Sequence, residues 1–298
     1  MKYDDEQFTA GPAPTGAVSG STPAGSTDPP RRERYFDVLR GVAFVRVVVF
    51  HMFPVAWLSM MFPAMGVMFA LGGSPMAGSV DRSAEEAVFG RLRRLLPALW
   101  VLGAILMPVA LLVGWPQRPG WVRLMLWVLP VAPPPGPEWA EPTVGLLWYL
   151  TYPWLVVLSP AAVWLYRRAR VVTVALPLAA LAVLKVLPWS FSDRFGSVVT
   201  DLLTFAACWI LGFAYRHGDL QRIPAPLIVA VSAVCTTMGV VWTVTHPGED
   251  SVDLPTLPLA YGVYSIGFVL LLLRSGHRWL ARAPSVPHRG SEPAQRAP

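Results

Sequence analysis

Stretches of roughly 17 to 25 mostly apolar residues recur along this chain, and each is long enough to cross the hydrocarbon core of a bilayer as a helix. That recurrence limits the fold more than any single motif. Inside lipid every backbone N–H and C=O must find a partner within the protein, and segments of this length meet the demand as α-helices. Of the 298 residues 54% are hydrophobic and 14% are charged, whereas a soluble domain carries about a quarter charged residues. The expected fold is therefore all-α: a polytopic membrane helix bundle in the plasma membrane with little mass outside it. The net charge of +6 comes from arginines in short loops. The preference for cationic loops on the cytoplasmic side explains these better than nucleic-acid binding does, so no nucleic-acid partner is expected. Cys208 and Cys235 both fall inside apolar segments, which makes them buried thiols and leaves no expectation of a metal site.

Taken in order, residues 1–33 form a Gly-, Pro- and Ser-rich tail, GPAPTGAVSGSTPAGSTDPP and its flanks. It cannot bury enough apolar surface to order itself. The polar start also leaves no cleavable leader, so the first span acts as its own insertion signal. Residues 34–280 form the membrane domain, and 281–298 a second polar tail. Eight full spans are expected, near 36–58, 61–76, 95–115, 144–165, 171–188, 198–215, 223–245 and 257–273. A ninth apolar piece, 122–131, is too short and precedes the Pro-rich run APPPGPEWAEP. Read as a re-entrant or interfacial element, it leaves the clusters Arg167/Arg168/Arg170, Arg216/Arg222 and Arg274/Arg278/Arg282 on the cytoplasmic side with both termini.

The first span, RYFDVLRGVAFVRVVVFH, is unusually rich in ionisable groups. Arg40 and His51 are eleven residues apart, three helical turns with a misfit of about 20°, so they share a face about 16 Å apart along the axis. With Arg40 at the cytoplasmic interface, His51 falls near mid-membrane. Asp37 lies three residues before Arg40 and can orient it as an i,i+3 pair. Arg46 points away from that face, and Asp201 is a candidate partner on depth and charge. An ionisable residue inside a membrane is expensive and points toward function more than a core histidine of a soluble protein does; the plain alternative is a neutral imidazole bonded within the bundle. A histidine there can take a proton from a hydroxyl near neutral pH, or carry an acyl group.

Arg91 and Arg94, spaced i,i+3 at the mouth of the third span, suit a phosphate or pyrophosphate, although charge that merely sets topology accounts for them equally simply. Trp148, Tyr149 and Tyr152 in LLWYLTYPW read either as an aromatic belt at the external interface or as a stacking platform for a sugar.

The first-span run resembles the opening signature of the acyltransferase 3 family of integral membrane acyltransferases, an Arg and a His separated by ten residues. FPAMGVMFALGGS, RLRRLLP and LLWYLTYPWLVVLSP resemble that family's later motifs in order, so the likeness covers roughly residues 34–160. The resemblance implies transfer of an acyl group, commonly acetyl, from cytoplasmic acyl-CoA (acetyl-CoA in the common case) to a hydroxyl of a carbohydrate, lipid-linked sugar or secreted acceptor. Carried over by position, His51 is the catalytic residue with Arg40 as its partner. Arg91 and Arg94 bind acyl-CoA, and Asp37, Arg46, Trp148 and Tyr149 support the site. The pattern departs at Leu71-Gly72-Gly73-Ser74-Pro75, where a proline enters the second span. It departs again after Leu150, where an acidic residue is common in relatives, and after Leu273, where no apolar segment supplies the family's last helix. The competing readings are a transporter or export component and a catalytically degenerate member.

Overall fold

The computed structural model describes residues 31–53, 57–115, 119–129, 131–140, 151–186, 193–246 and 257–282. Its helices are α1 (Arg31–Met52), α2 (Trp57–Met61), α3 (Ala64–Val80), α4 (Ala84–Val113), α5 (Trp121–Leu124), α6 (Thr151–Arg168), α7 (Arg170–Val186), α8 (Asp193–Arg216), α9 (Asp219–Arg222), α10 (Ala225–Thr245) and α11 (Pro258–Arg282). No strand occurs among the described residues. Four helices contain a segment long and apolar enough to cross a membrane by themselves: Ala84–Val113, Phe195–Arg216, Ala225–Thr245 and Pro258–Gly276. The expected eight full spans are thus not all present in that form. Helix α3 is apolar but has 17 residues, and the opening of α1 is too charged to count by composition. The two expected tails, 1–33 and 281–298, lie largely outside the described residues, although α1 already begins at Arg31 and α11 runs on to Arg282.

The third span starts earlier than its hydropathy indicates. Ser83, in an extended conformation, accepts a hydrogen bond from the Glu86 amide at 3.3 Å, and Glu85 and Glu86 occupy the first turn. Ser-x-x-Glu is the capping pattern that satisfies free amides at a helix N-terminus, and the two acids favour the positive end of its dipole. Helix α4 therefore begins at Ala84, and the segment read as a polar loop up to Arg94 is two to three turns of helix. Helix α3 likewise continues through Pro75 to Val80 without a break.

Helices α3 and α8 form the centre. Neither Gly73 nor Gly212 has room for a side chain: a Cβ on Gly73 would overlap the Trp209 carbonyl, and one on Gly212 would overlap the Ala70 carbonyl. Small residues facing each other let two membrane helices gain close van der Waals contact where lipid supplies no hydrophobic drive. Around this pair Phe69 stacks on Phe205 at 4.8 Å, and Trp209 and Phe213 are fully buried. Helices α10 and α4 instead turn large apolar side chains outward, among them Val229, Val234, Trp242, Ile105 and Leu112, as lipid-facing helices do.

Among the described residues of 121–140 no helix is long enough to cross. The segment's four-residue helix α5 and the 3-10 turn Met125–Trp127 span about 12 Å at most, under half the hydrocarbon thickness. It folds onto α4: Trp127 packs over Gly103 and donates to the Pro135 carbonyl at 3.1 Å, while Trp100 donates to the Val128 carbonyl at 3.1 Å.

Candidate active site

Helix α1 runs antiparallel to α11, and three contacts give its register. The Tyr35 hydroxyl donates to the Leu272 carbonyl at 2.8 Å, and its ring lies against Gly276. Leu39 shares an apolar gap with Ala70, Leu71, Val269 and Leu273. Farther along, Arg46 lies over the Phe50 ring at 4.9 Å and close to Tyr264, whose hydroxyl donates to the Met60 carbonyl. Arg40 thus sits level with the middle of α3, about 7 Å deeper than the Tyr35 layer. His51 lies another 16 Å or so along the same axis, level with the first turns of α11. The side chain of His51 lies outside the described structure.

Asp37 and Arg40 form the i,i+3 ion pair that their spacing predicts, at 3.0 Å, with both side chains about half open. Arg46, on another face, turns toward α11. Asp201 makes no ion pair among the described residues, so the pairing of Arg46 with Asp201 is not made: the two face different neighbours.

Arg40 on α1 and Arg91 on α4 both lie within electrostatic reach of Tyr152 on α6. The Tyr152 ring is gripped edge-on by Trp209 at 5.0 Å and stacked at 6.3 Å on Phe69. Trp209 is itself tied down: its indole N–H donates to Ser159 Oγ at 2.9 Å, and that hydroxyl donates to the Leu155 carbonyl at 2.6 Å. On the α3 side Gly72 makes the room. A Cβ there would sit 2.8 Å from the Trp209 ring and 3.1 Å from the Tyr152 oxygen. Gly72 thus leaves the room that the phenol occupies.

Tyr152 packs inward, against Trp209 and Phe69. Trp148 and Tyr149 lie outside the described residues. Arg94 is exposed, and no ion pair or hydrogen bond engages it among the described residues, so the Arg-x-x-Arg pair splits, with one member drawn into the cleft and the other open. Residue-by-residue reasoning misses the part played by Tyr152, Gly72 and Trp209. The available signal is a tyrosine one turn past the Trp-Tyr-Leu run combined with a double glycine in an otherwise apolar helix.

Two guanidinium groups with one nearby carboxylate, Asp37, leave the cleft net positive. Such a site takes an anion with several acceptor oxygens, a phosphate or pyrophosphate before all. Among the described residues no group of three or more His, Cys, Asp or Glu could hold a metal ion.

A family model described as an acyltransferase domain matches residues 33–286, the greater part of the chain and all of the helices that build the cleft. The chain belongs to the acyltransferase 3 family. Membership together with the apolar helices makes it a multi-pass membrane protein of an acyltransferase type. No curated protein and no solved structure gives a significant match.

Proposed function

We propose that this protein moves an acyl group, in the simplest case acetyl, from cytoplasmic acyl-CoA to a hydroxyl of a carbohydrate or another acceptor of the cell envelope or secreted pool. The observation that carries the reading is the acyltransferase type of the chain, with Arg40 and Arg91 both in electrostatic reach of Tyr152. In this reading the two arginines, with Arg94 at the entrance, bind the donor's phosphates. The extended pantetheine arm then runs outward along α1, and the thioester comes to His51. Binding energy taken from the remote phosphates orients the reacting carbonyl.

The reaction forms a C–O ester bond and breaks the C–S thioester. His51 takes the proton from the acceptor hydroxyl as the oxygen attacks the carbonyl carbon, and returns it to the departing thiolate, so no net proton is consumed. The plasma membrane, with cytoplasmic donor and outer acceptor, is the setting that the separation of Arg40 from His51 along α1 favours.

A His51→Ala variant that inserts and accumulates like the wild type tests this. Mass spectrometry of surface glycans and secreted metabolites is expected to show loss of one acyl modification in the variant and in a deletion strain alike. Wild-type acylation in the His51→Ala strain would refute the assignment.

A further inference from the structure

We infer that Asp201 is an acceptor-binding residue, whose carboxylate accepts hydrogen bonds from two neighbouring hydroxyls of a carbohydrate at the level of His51; the inference rests on the acyl-transfer reading above. It starts from a charge that the described fold leaves unused. Asp201 is the one acid of Phe195–Arg216, a stretch long and apolar enough to cross the membrane. It is only partly buried, and no ion pair or hydrogen bond engages it among the described residues. An ionisable group on a membrane helix is costly and is kept where a cavity or a ligand meets it.

Two independent registers bring Asp201 and His51 to one level. Helix α8 runs parallel to α11: Phe205 meets Tyr261 edge-on at 5.7 Å, the Thr204 carbonyl faces Gly262, and a Cβ on Gly66 would touch both Cys208 and Ser265. Four residues before Phe205, Asp201 is therefore level with Leu257 and Pro258, where α11 starts. Helix α1 runs the other way, with Tyr35 bonded to the Leu272 carbonyl and laid against Gly276. Sixteen residues and about 24 Å later, at His51, it reaches the same first turn of α11. Asp201, Cys208 and Gly212 follow at spacings of seven and eleven residues, each within about 20° of whole turns, so they share a face. Cys208 and Gly212 meet Gly66 and the Ala70 carbonyl, so that face looks toward α3. Yet α3 begins at Ala64, about 3 Å beyond Gly66, whereas Asp201 is about 10 Å beyond Cys208. The carboxylate thus stands past the end of α3, the helix that packs against both α1 and α8. An ionised carboxylate is an acceptor with two oxygens, and a vicinal diol supplies two O–H donors side by side. Holding that pair orients a further hydroxyl of the same sugar for attack.

The test uses the full chain in lipid nanodiscs, radiolabelled acetyl-CoA, and the solubilised envelope and culture filtrate of a deletion strain, which hold the unmodified acceptor. Asp201→Asn keeps the size of the side chain and removes its charge. The amount of acceptor fraction needed for half-maximal labelling is expected to rise about tenfold, the loss of a hydrogen bond to a charged group. Half-saturation by acetyl-CoA should not move. Asp201→Leu, cheaper to bury than the acid, should accumulate fully and show the same shift or a larger one, and Asp201→Glu should recover part of it. Cutting vicinal diols in the acceptor fraction with periodate should abolish labelling by the wild type. An unchanged acceptor demand in Asp201→Asn, an equal shift for acetyl-CoA, or full labelling after periodate overturns the inference. So does a loss of thermal stability alone, which would assign the carboxylate to the positive end of α3. A wild-type enzyme that labels nothing in either fraction refutes the acyl-transfer reading itself, whereas wild-type labelling with an indifferent Asp201→Asn refutes only the role of Asp201.

Discussion

The end of the bundle around Asp81 and Asp219 and the region around Tyr152 are both rich in arginine, yet they use it in opposite ways. At the Asp81–Asp219 end the acids are spread among the cations. Asp219, which is buried, takes the Tyr166 hydroxyl at 2.9 Å, Arg222 at 2.9 Å and Arg170 at 3.1 Å. Asp81, in the turn between α3 and α4, takes Arg167 at 2.5 Å and faces His217 Nε2 at 3.3 Å. His217 stacks on Tyr166, its Nδ1 lies 2.9 Å from the Phe213 carbonyl, and Arg274 donates to the Leu220 carbonyl at 3.0 Å. Gly218, with a φ of 76°, takes the left-handed turn that glycine tolerates and brings Asp219 back under Tyr166. These groups tie α3, α6, α8, α9 and α11 together. Around Tyr152, by contrast, Asp37 pairs with Arg40, and Arg91 makes no ion pair among the described residues. One region uses its charges up in holding helices together; the other keeps them available for a ligand.

The contrast yields opposite outcomes for equally drastic substitutions. The largest expected effect is on Arg91→Ala, which should lower acyl-transfer kcat/KM about a hundredfold, near 2.7 kcal/mol, while leaving thermal stability unchanged. Asp219→Asn should do the reverse. It is expected to destabilise the bundle by about 2 kcal/mol, a buried-pair loss discounted because Arg170 and Arg222 can turn to solvent. Activity per folded molecule should be preserved; thermal denaturation and specific activity on the same preparation would check both. Arg40→Lys keeps the charge and loses the planar fork, and is expected to cost about tenfold in donor affinity. The smallest effect is expected for Arg167→Ala. Its partner Asp81 is 30% exposed and Arg167 itself 58%, so stability should fall by no more than about 1 kcal/mol, and by less in high salt. A loss of donor binding in Asp219→Asn, or of stability alone in Arg91→Ala, would erase the distinction between the two regions.

Much of this is legible in the residues. The apolar runs announce helices, and the i,i+3 spacing of Asp37 and Arg40 announces their pair. A six-residue offset turns Arg46 to another face of α1, as the structure shows. The 122–131 piece is indeed too short to cross. What is not legible depends on contacts between distant segments. Hydropathy puts the start of the third span at its first apolar residue, Leu95, but the Ser83 cap and the acids behind it start the helix at Ala84 and carry Arg91 into the bundle. The register of α1 against Leu272 and Tyr264 on α11, which sets the neighbours of Arg40, is encoded by no local pattern. Tyr152 looks like one more interfacial aromatic until Gly72 and Trp209 are seen to hold it against α4. Asp81 and Asp219 do not stand out among the arginine clusters, since an exposed acid beside a base is commonplace and only packing buries one of them.

The central claim is that the donor's phosphates bind where Arg40, Arg91 and Tyr152 meet. A photoreactive coenzyme A analogue, cross-linked to the protein in native membranes and mapped by peptide mass spectrometry, tests it directly. Label on the Arg31–Met52, Ala64–Val80, Ala84–Val113 and Thr151–Arg168 peptides, suppressed by excess acetyl-CoA and by Arg91→Ala, is the predicted result. Label confined to the Asp81–Asp219 face, or unaffected by Arg91→Ala, would contradict it.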